Sequence, residues 1–337
     1  LGMISCVNKS RMNEDICVMA SPDNHSFSYL FDCGMASRLS ISDVMRIKAV
    51  FVTHTHVDHF VNFDAILRNR AGSREPVIIT GPRGIAQNVQ GKLQAYTWNL
   101  IGKGGSCFQV REIQNDQSYK YFRLCPPRWK VEFQGVEESK FLFELDKVIV
   151  EHCVLDHKIP SIAYRMREKN AVNIESIPFK PGPWIKDLKE AYCQSKPETI
   201  LDIFGQQVPA GELFHTLKET PGYSVGYAMD HLGGGPNHEK LEVFFRGVDE
   251  LFIESFFRHV DWSYARRHKH CTSYLSGKLA REAGVKRLHL VHHSRRYNEE
   301  IPDLIEEGMA AFEDREPNFQ KSSKARFEDL DSTDHDL

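Results

Sequence analysis

One short segment most constrains what this chain can fold into. Residues 53–59 contain three imidazoles and one carboxylate: His54, His56, Asp58 and His59. Such a density of ligand groups is costly to pack unless something binds them, and it is typical of a transition-metal site. One segment cannot easily wrap four ligands around a single tetrahedral ion. The spacing therefore favours two ions about 3.5–4 Å apart, one on His54 and His56 and one on Asp58 and His59.

The flanking sequence predicts where this cluster lies. Residues 49–52 form a short apolar run, which indicates a buried strand. Apolar residues from Val61 to Leu67 indicate the start of a helix. We therefore expect the ligands in a strand-to-helix loop, presented by a rigid scaffold. The alternative is a histidine-rich surface loop that binds no metal.

Composition describes an ordinary globular protein, since 41% of the 337 residues are hydrophobic and 26% are charged. The sequence contains no apolar run of about 18 residues and no recognisable signal peptide, so we expect no membrane association. The eight cysteines form no Cys-x-x-Cys pair, which predicts reduced, mostly buried cysteines in a cytoplasmic protein. A net charge of −3 argues against broad coating of nucleic acid but leaves a local basic patch open.

Strands and helices alternate only in part along the chain, which predicts a mixed α/β sandwich. Strands are predicted at residues 27–31, 49–52, 77–80, 147–151, 224–229, 251–254 and 288–291. Helices are predicted at residues 272–283 and 299–312. We expect one domain over residues 1–312, followed by a loose, polar and acidic tail over residues 313–337.

The remaining metal ligands are expected at the ends of other strands. His157, Asp230 and His292 each follow a predicted strand, although any one of them alone is more typical of a loop hydrogen bond. Together they complete two ligand sets, which are His54, His56, His157 and Asp58, His59, His292. Asp230 has two acceptor oxygens and is able to bridge both ions. A shared water, acidified toward hydroxide, would fill the remaining position.

This pattern resembles the metallo-β-lactamase superfamily, whose H-x-H-x-D-H signature is matched by residues 54–59. Within it, the closest resemblance is to the ribonuclease Z family of endonucleases, which trim the 3′ end of precursor tRNA. Further segments are similar to motifs of that family and extend the resemblance over residues 1–297. They are residues 30–34, residues 157–165, Asp230, Glu254, residues 270–272 and residues 292–297.

The resemblance implies a fold and a chemistry. The fold is an αββα sandwich, and the cofactors are two divalent metal ions, with zinc favoured and manganese or iron as alternatives. A metal-bound hydroxide would attack phosphorus, with Asp58 orienting or deprotonating it. Glu254 and His270 would act as a pair, in which the imidazole donates a proton to the leaving 3′ oxygen.

The resemblance also implies an RNA substrate, precursor tRNA, and leaves a homodimer open. Ser294 and Arg296 match a motif expected to contact the substrate. A loop at Pro181 and Gly182 resembles the start of a tRNA-gripping arm, at about residues 176–212, although an ordinary structural loop is an equal alternative. A basic group near the motifs either contacts phosphate or forms a solvated charged face. Its members are Arg258, Arg266, Arg267, Lys269 and Arg295.

Several positions depart from the family pattern. The usual Gly-Asp-Thr is residues 229–231 here, with His231 in the last place, and the His-Glu-Ala-Thr segment keeps only Glu254. Val57 replaces a common glycine. These changes leave the ligand set intact but open two alternatives. One is a related hydrolase of a small phosphodiester, lactone or thioester; the other is a non-catalytic nucleic-acid-binding subunit.

Overall fold

A computed structural model describes residues 4–23, 25–73, 75–102, 104–145, 147–176, 178–317 and 319. It contains two compact units. The first runs to Arg167 and resumes at Ser224, and the second is Glu168–Tyr223. The predicted acidic tail lies outside the described residues from position 320 onward. Among the described helices, none has the length and apolar character needed to cross a membrane.

The described part of the first unit begins with a sheet of eight strands that follow chain order. They are β1 (Ile4–Asn8), β2 (Val18–Pro22), β3 (Ser28–Phe31), β4 (Ile47–Phe51), β5 (Val77–Gly81), β6 (Phe108–Ile113), β7 (Ser118–Leu124) and β8 (Glu132–Glu138). The intervening helices are α1 (Ile41–Met45), α2 (Val57–Phe60), α3 (Phe63–Arg70) and α4 (Ile85–Gln94). Strands β3 to β6 are parallel, so their carboxyl ends meet at one edge of the sheet.

Three strands then begin a second sheet: β9 (Phe143–Leu145), β10 (Val148–His157) and β11 (Ile159–Glu168). The second unit follows in the sequence. Its elements are β12 (Ala171–Ile174), α5 (Trp184–Cys193), β13 (Ile200–Ile203), β14 (Gln206–Pro209), a 3₁₀ helix (Ala210–Thr216) and β15 (Leu217–Thr220). Strand β12 pairs with β15 and β13 with β14, around a small apolar core that includes Trp184, Leu188 and Leu201.

The chain then returns to the first unit and completes the second sheet. The added strands are β16 (Ser224–Ala228), β17 (Glu250–Glu254) and β18 (Arg287–Val291). The complete sheet has six strands, in the order β18-β17-β16-β11-β10-β9. The accompanying helices are α6 (Gly235–Phe244), α7 (Trp262–His268), α8 (Ser273–Glu282) and α9 (Ile301–Phe312), with 3₁₀ turns at His259–Asp261 and Asn298–Glu300. Thr272 caps α8, because its side chain accepts a hydrogen bond from the Leu275 N–H.

The two sheets pack face to face through aromatic side chains. Phe31 of the first sheet contacts Tyr164 and Tyr227 of the second, with ring centroids 6.0 and 5.1 Å apart. Helices α3 and α4 cover the outer face of the first sheet with the buried residues Leu67 and Val89. Helices α6 and α8 cover the second sheet in a separate apolar cluster. These four layers confirm the predicted αββα sandwich.

The strands and helices predicted from apolar patterning are confirmed, with three differences. Strand β10 continues to His157, so this residue is the last of the strand and not part of a following loop. Asp58 and His59 lie in the short helix α2, whereas we expected a loop. Strands such as β8 escaped prediction because nearly every residue is exposed, which removes the alternation that marks a half-buried strand.

The cysteines differ from the prediction. Cys107 and Cys125 form a disulfide. The pairing of β6 with β7 explains it, because Phe108 lies opposite Leu124 and brings the flanking cysteines to a Cα–Cα distance of 4.3 Å. The expectation of mostly buried cysteines was also wrong. Of the six free cysteines, Cys17, Cys33 and Cys271 are buried, Cys6 and Cys153 are partly exposed, and Cys193 is exposed.

Candidate metal centre and active site

The seven predicted ligand residues converge at one edge of the sandwich. The first group consists of His54, His56, His157 and Asp230, and the second of Asp58, His59 and His292. Within each group, all ligand atoms lie within 4.8 Å of one another. These side chains follow or end strands β4, β10, β16 and β18, so the sheet geometry brings distant parts of the sequence together.

Asp230 lies against both groups. Its Oδ2 atom is 3.5 Å from Nε2 of His54 and 3.4 Å from Nε2 of His157 in the first group. In the second group, the same oxygen is 3.5 Å from Nε2 of His59, and Oδ1 is 3.0 Å from Nδ1 of His292. A carboxylate in this position is able to serve two cations.

The backbone is strained at this edge. Asp32, Asp230 and His292 follow β3, β16 and β18 and have φ angles of 52°, 46° and 55°. Residues with side chains rarely adopt this left-handed region, and the cost is about 1–3 kcal/mol each. Such strain persists only where surrounding contacts over-determine the conformation, and it clusters at functional sites.

Asp32 supplies part of that surrounding structure. It is fully buried and accepts hydrogen bonds from the Thr53 N–H at 2.7 Å and the Tyr227 hydroxyl at 2.9 Å. It also lies 2.9 Å from Nδ1 of His59. Because a carboxylate accepts, Nδ1 must carry the proton and Nε2 of His59 is left for a cation. The sequence placed Asp32 in a family motif but did not give this role.

Two further contacts hold the candidate ligand residues in place. The Lys269 carbonyl accepts a hydrogen bond from Nδ1 of His157 at 2.8 Å, which again leaves Nε2 for a cation. The turn after Asp32 packs tightly on α2, because a Cβ added to Gly34 would lie 2.0 Å from the Asp58 carbonyl oxygen. Glycine at this position is therefore required for the close packing of this turn on α2.

The donor set fits metal ions. Two buried imidazole nitrogens in the pocket, Nε2 of His54 and Nε2 of His59, have no hydrogen-bond partner among the described residues. Buried polar atoms without partners are rare and costly, and cations between the two groups would satisfy them. Imidazole and carboxylate donors suit divalent transition metals.

Electrostatics favour the cation-binding forms of His56, His157 and Asp230. Burial, with two neighbouring imidazoles, lowers the pKa of His56 to about 4, and burial also lowers the pKa of His157. Burial opposes ionisation of Asp230, yet the imidazole of His292 and its neighbours hold the pKa of that carboxyl well below its usual value. Neutral imidazoles and ionised carboxylates are the forms that bind cations. Burial disfavours the charged form of His292, but Asp230 raises its pKa to about 10, so a cation must displace a proton there.

Glu254 and His270 lie beside the first group. Oε2 of the fully buried Glu254 is 2.8 Å from Nδ1 of His270, and Oε1 accepts from the His231 N–H at 2.6 Å. Burial opposes ionisation of Glu254, but the two histidines lower its pKa to about 2. Nδ1 of His270 is 3.9 Å from Oδ1 of Asp230, so this pair adjoins the candidate metal centre.

A cleft of about 460 Å³ opens on the second ligand group. Its lining includes Asp58, whose side chain is 41% exposed, with Val57 and Phe256. Ser294 and Arg296, the predicted substrate contacts, also line it. The cleft therefore gives a ligand access to the candidate metal centre from solvent.

The predicted basic group divides into two classes. Arg258 is buried against Glu307, Lys269 pairs with Asp156 at 2.9 Å, and Arg295 pairs with Asp15 at 2.6 Å. These three form ion pairs with the fold, and the Arg295 side chain is 73% exposed. Arg266 and Arg267 are exposed on α7. Pro181 and Gly182 lie in the second unit, at the start of α5.

No family model matches the chain. Among curated proteins, it is 30% identical over 332 residues to the ribonuclease Z of Synechococcus sp. strain CC9605, covering 93% of this chain and 92% of that protein. Among solved structures, it is similar to the metallo-β-lactamase fold protein YhfI of Bacillus subtilis, with a TM-score of 0.53 and 15% identity. That match covers 93% of this chain and 92% of the YhfI chain. The short form of human tRNase Z gives a TM-score of 0.51 and 18% identity, and the match covers 88% of this chain and 93% of that one. The chain belongs to the ribonuclease Z family.

Proposed function

We propose that this protein is a metal-dependent endoribonuclease that cleaves precursor tRNA at its 3′ side. The observation that carries the proposal is the pair of the buried Glu254 and the partly buried His270, which lies beside Asp230 where the two ligand groups meet. A metal-binding subunit without catalysis needs the ligand groups but has no use for an oriented imidazole next to them. A hydrolase of phosphodiesters needs both.

The two ligand groups would hold two divalent cations, with zinc favoured by the histidine-rich donor set. When bound, the cations would acidify a water and stabilise negative charge at the reacting phosphate. Asp58 is partly exposed to the cleft, and burial disfavours its charged form, but the neighbouring imidazoles of His292 and His59 keep its pKa below the usual value. It is therefore ionised at neutral pH and able to orient or accept a proton from an attacking water.

His270 would donate the second proton of the reaction. Glu254 accepts from Nδ1, which fixes the tautomer, and the His231 N–H holds Glu254 from the other side. Nε2 of His270 makes no hydrogen bond to a residue that the structure describes. Its proton would pass to the leaving 3′ oxygen as the P–O bond breaks.

Substrate recognition would extend beyond this centre. Ser294 and Arg296 line the cleft and would contact phosphate, as a hydroxyl and a guanidinium do in many RNA sites. Residues 176–212, with Pro181 and Gly182 at the exposed start of α5, would form an arm on the hydrolase domain that reaches the body of the tRNA. We place the enzyme in the cytoplasm, where precursor tRNA is processed. Sedimentation of the purified protein tests whether two copies associate.

The decisive experiment incubates the purified, zinc-loaded protein with a precursor tRNA carrying a 3′ trailer and resolves the products on a gel. We expect a single cut that releases the trailer and leaves a 3′ hydroxyl, and elemental analysis approaching two ions per chain. Asp230→Ala is the inactive control. A chromogenic phosphodiester serves as the comparison substrate. Turnover of the small substrate alone, with the tRNA left intact, would overturn the proposal in favour of a small-molecule hydrolase.

A further inference from the structure

The ring of Phe256 lies flat on the imidazole of His270. Their centroids are 3.9 Å apart and their planes are inclined by 8°. The same phenyl ring is 5.1 Å from the imidazole of His292, a member of the second ligand group. Phe256 stands where the family's His-Glu-Ala-Thr segment has threonine. Phe256 also lines the cleft and is therefore within reach of the reacting groups.

A hydrogen bond to Glu254 does not by itself fix His270. It fixes the position of Nδ1, but the ring can still tilt about that contact, and the tilt moves Nε2 on the far side. Three other rings lie near His270: His157 at a centroid distance of 4.9 Å and 66°, Phe257 at 5.8 Å and 66°, and His292 at 6.3 Å and 42°. None of these three is parallel to the imidazole. Phe256 supplies the broad parallel surface that resists tilting.

Phe256 is itself well held. It follows β17, and its carbonyl oxygen accepts a hydrogen bond from the Ser294 N–H at 3.2 Å. Its side chain packs on an apolar cluster that includes Tyr297 and Ile301. The strand end that carries His292 and the strand end that carries Phe256 are thus tied together. A ring anchored in this way can transmit the rigidity of the sheet to His270.

We propose that Phe256 is a positioning residue for proton transfer, which fixes the plane of His270 so that Nε2 stays aligned with the leaving oxygen. The inference rests on the proposed function. In the step concerned, the Nε2–H bond of His270 breaks, an O–H bond forms on the leaving 3′ oxygen, and the P–O bond breaks. Phe256 takes no part in these bond changes. It limits the orientations from which the proton is delivered.

The kinetic test uses Phe256→Leu and Phe256→Tyr, each alone and combined with His270→Ala, on precursor tRNA. We expect Phe256→Leu to lower kcat on the order of 10-fold with little change in KM, because a misplaced donor slows the chemical step. Phe256→Tyr keeps the aromatic face and should retain near-normal kcat. In the His270→Ala background, Phe256→Leu should cause no further loss. Phe133→Leu, on the exposed strand β8, is the matched control.

A structural readout tests the contact without using activity. In NMR spectra of the zinc-loaded protein with labelled histidines, the ring protons of His270 should shift upfield because they lie over a phenyl ring. The shift should disappear in Phe256→Leu and persist in Phe256→Tyr. An unchanged His270 resonance in Phe256→Leu, or equal kcat losses with and without His270, would overturn the inference. Failure of the wild-type protein to cleave tRNA would instead count against the proposed function, and the NMR result would stand by itself.

Discussion

The metal pocket of the first unit and the second unit, Glu168–Tyr223, are stabilised in opposite ways. The pocket buries histidines and carboxylates, leaves polar atoms without hydrogen bonds and contains strained backbone at Asp230 and His292. The second unit packs Trp184 and Leu188 in an ordinary apolar core. Among its described residues, none belongs to a group of side chains able to hold a metal ion. The donor groups of the pocket thus suit a cation, whereas the described core of the second unit is apolar.

This difference predicts that substitutions in the two regions impair different properties of the protein. Changes in the pocket should alter metal content and chemistry on every substrate, because the buried groups depend on one another and on the cations. Changes on the surface of the second unit should alter only how a large substrate binds, because binding far from the reacting atoms is available only to a substrate long enough to reach it. Each of the following variants tests one side of that separation.

Asp230→Ala should have the largest effect. The carboxylate lies against both ligand groups, so its loss removes a shared ligand and leaves the surrounding imidazoles without their counter-charge. We expect both cations to be lost and turnover to fall on the order of 10⁴-fold or more on RNA and on a small phosphodiester alike. His292→Ala should release mainly one cation. Identical metal losses in the two variants, measured by elemental analysis, would refute the bridging position.

His270→Ala should rank second. It should lower RNA turnover on the order of 10²–10⁴-fold, as expected for loss of a positioned general acid, while metal content stays unchanged. A small substrate with a good leaving group needs the proton less and should lose less. Glu254→Ala should lower RNA turnover to a similar extent. Turnover by the double variant should be little lower than that of either single variant, because the two residues act as a unit. Additive losses, or metal depletion in the His270 variant, would contradict this role.

Asp32→Asn should have an intermediate effect on metal affinity. The amide keeps the shape of the buried carboxylate but weakens the hydrogen bond that orients His59. We expect metal affinity to fall about 10–100-fold, with turnover largely restored at saturating metal. Competition with a chromogenic chelator measures the affinity. Asp187→Asn, an exposed substitution in the second unit, is the matched control and should leave it unchanged. An unchanged affinity in Asp32→Asn would show that Asp32 is not needed to orient His59.

The same contrast explains what the sequence could predict. The convergence of the candidate ligand residues was predictable because they follow or end apolar strands, and chemistry of this kind uses few residue types. The partners that hold them were not, since Asp32 meets His59 only through the packing of β3 beside β4. The disulfide depends in the same way on the register of β6 with β7. Strands β12 and β15 of the second unit gave almost no signal, because short paired strands with exposed faces carry little apolar periodicity.

Charge reversal at the exposed start of α5 should have the smallest effect on catalysis, and that effect should be confined to precursor tRNA. Deleting residues 181–184 would be a poor test, because Trp184 is buried and its indole N–H donates to the Lys180 carbonyl oxygen at 3.2 Å. Lys180→Glu with Lys186→Glu leaves that core intact and repels phosphate. We expect KM for precursor tRNA to rise roughly 10-fold, equivalent to about 1.4 kcal/mol of binding free energy. Turnover of a small phosphodiester should not change, because that substrate cannot use a remote contact.

Lys218→Glu, an exposed charge reversal on β15 outside the proposed arm, is the matched control. Equal KM changes in the control and the double variant would show that residues 176–212 are no arm. Equal losses on both substrates would show instead that the second unit supports the chemistry itself, and the separation between the two regions would then be wrong.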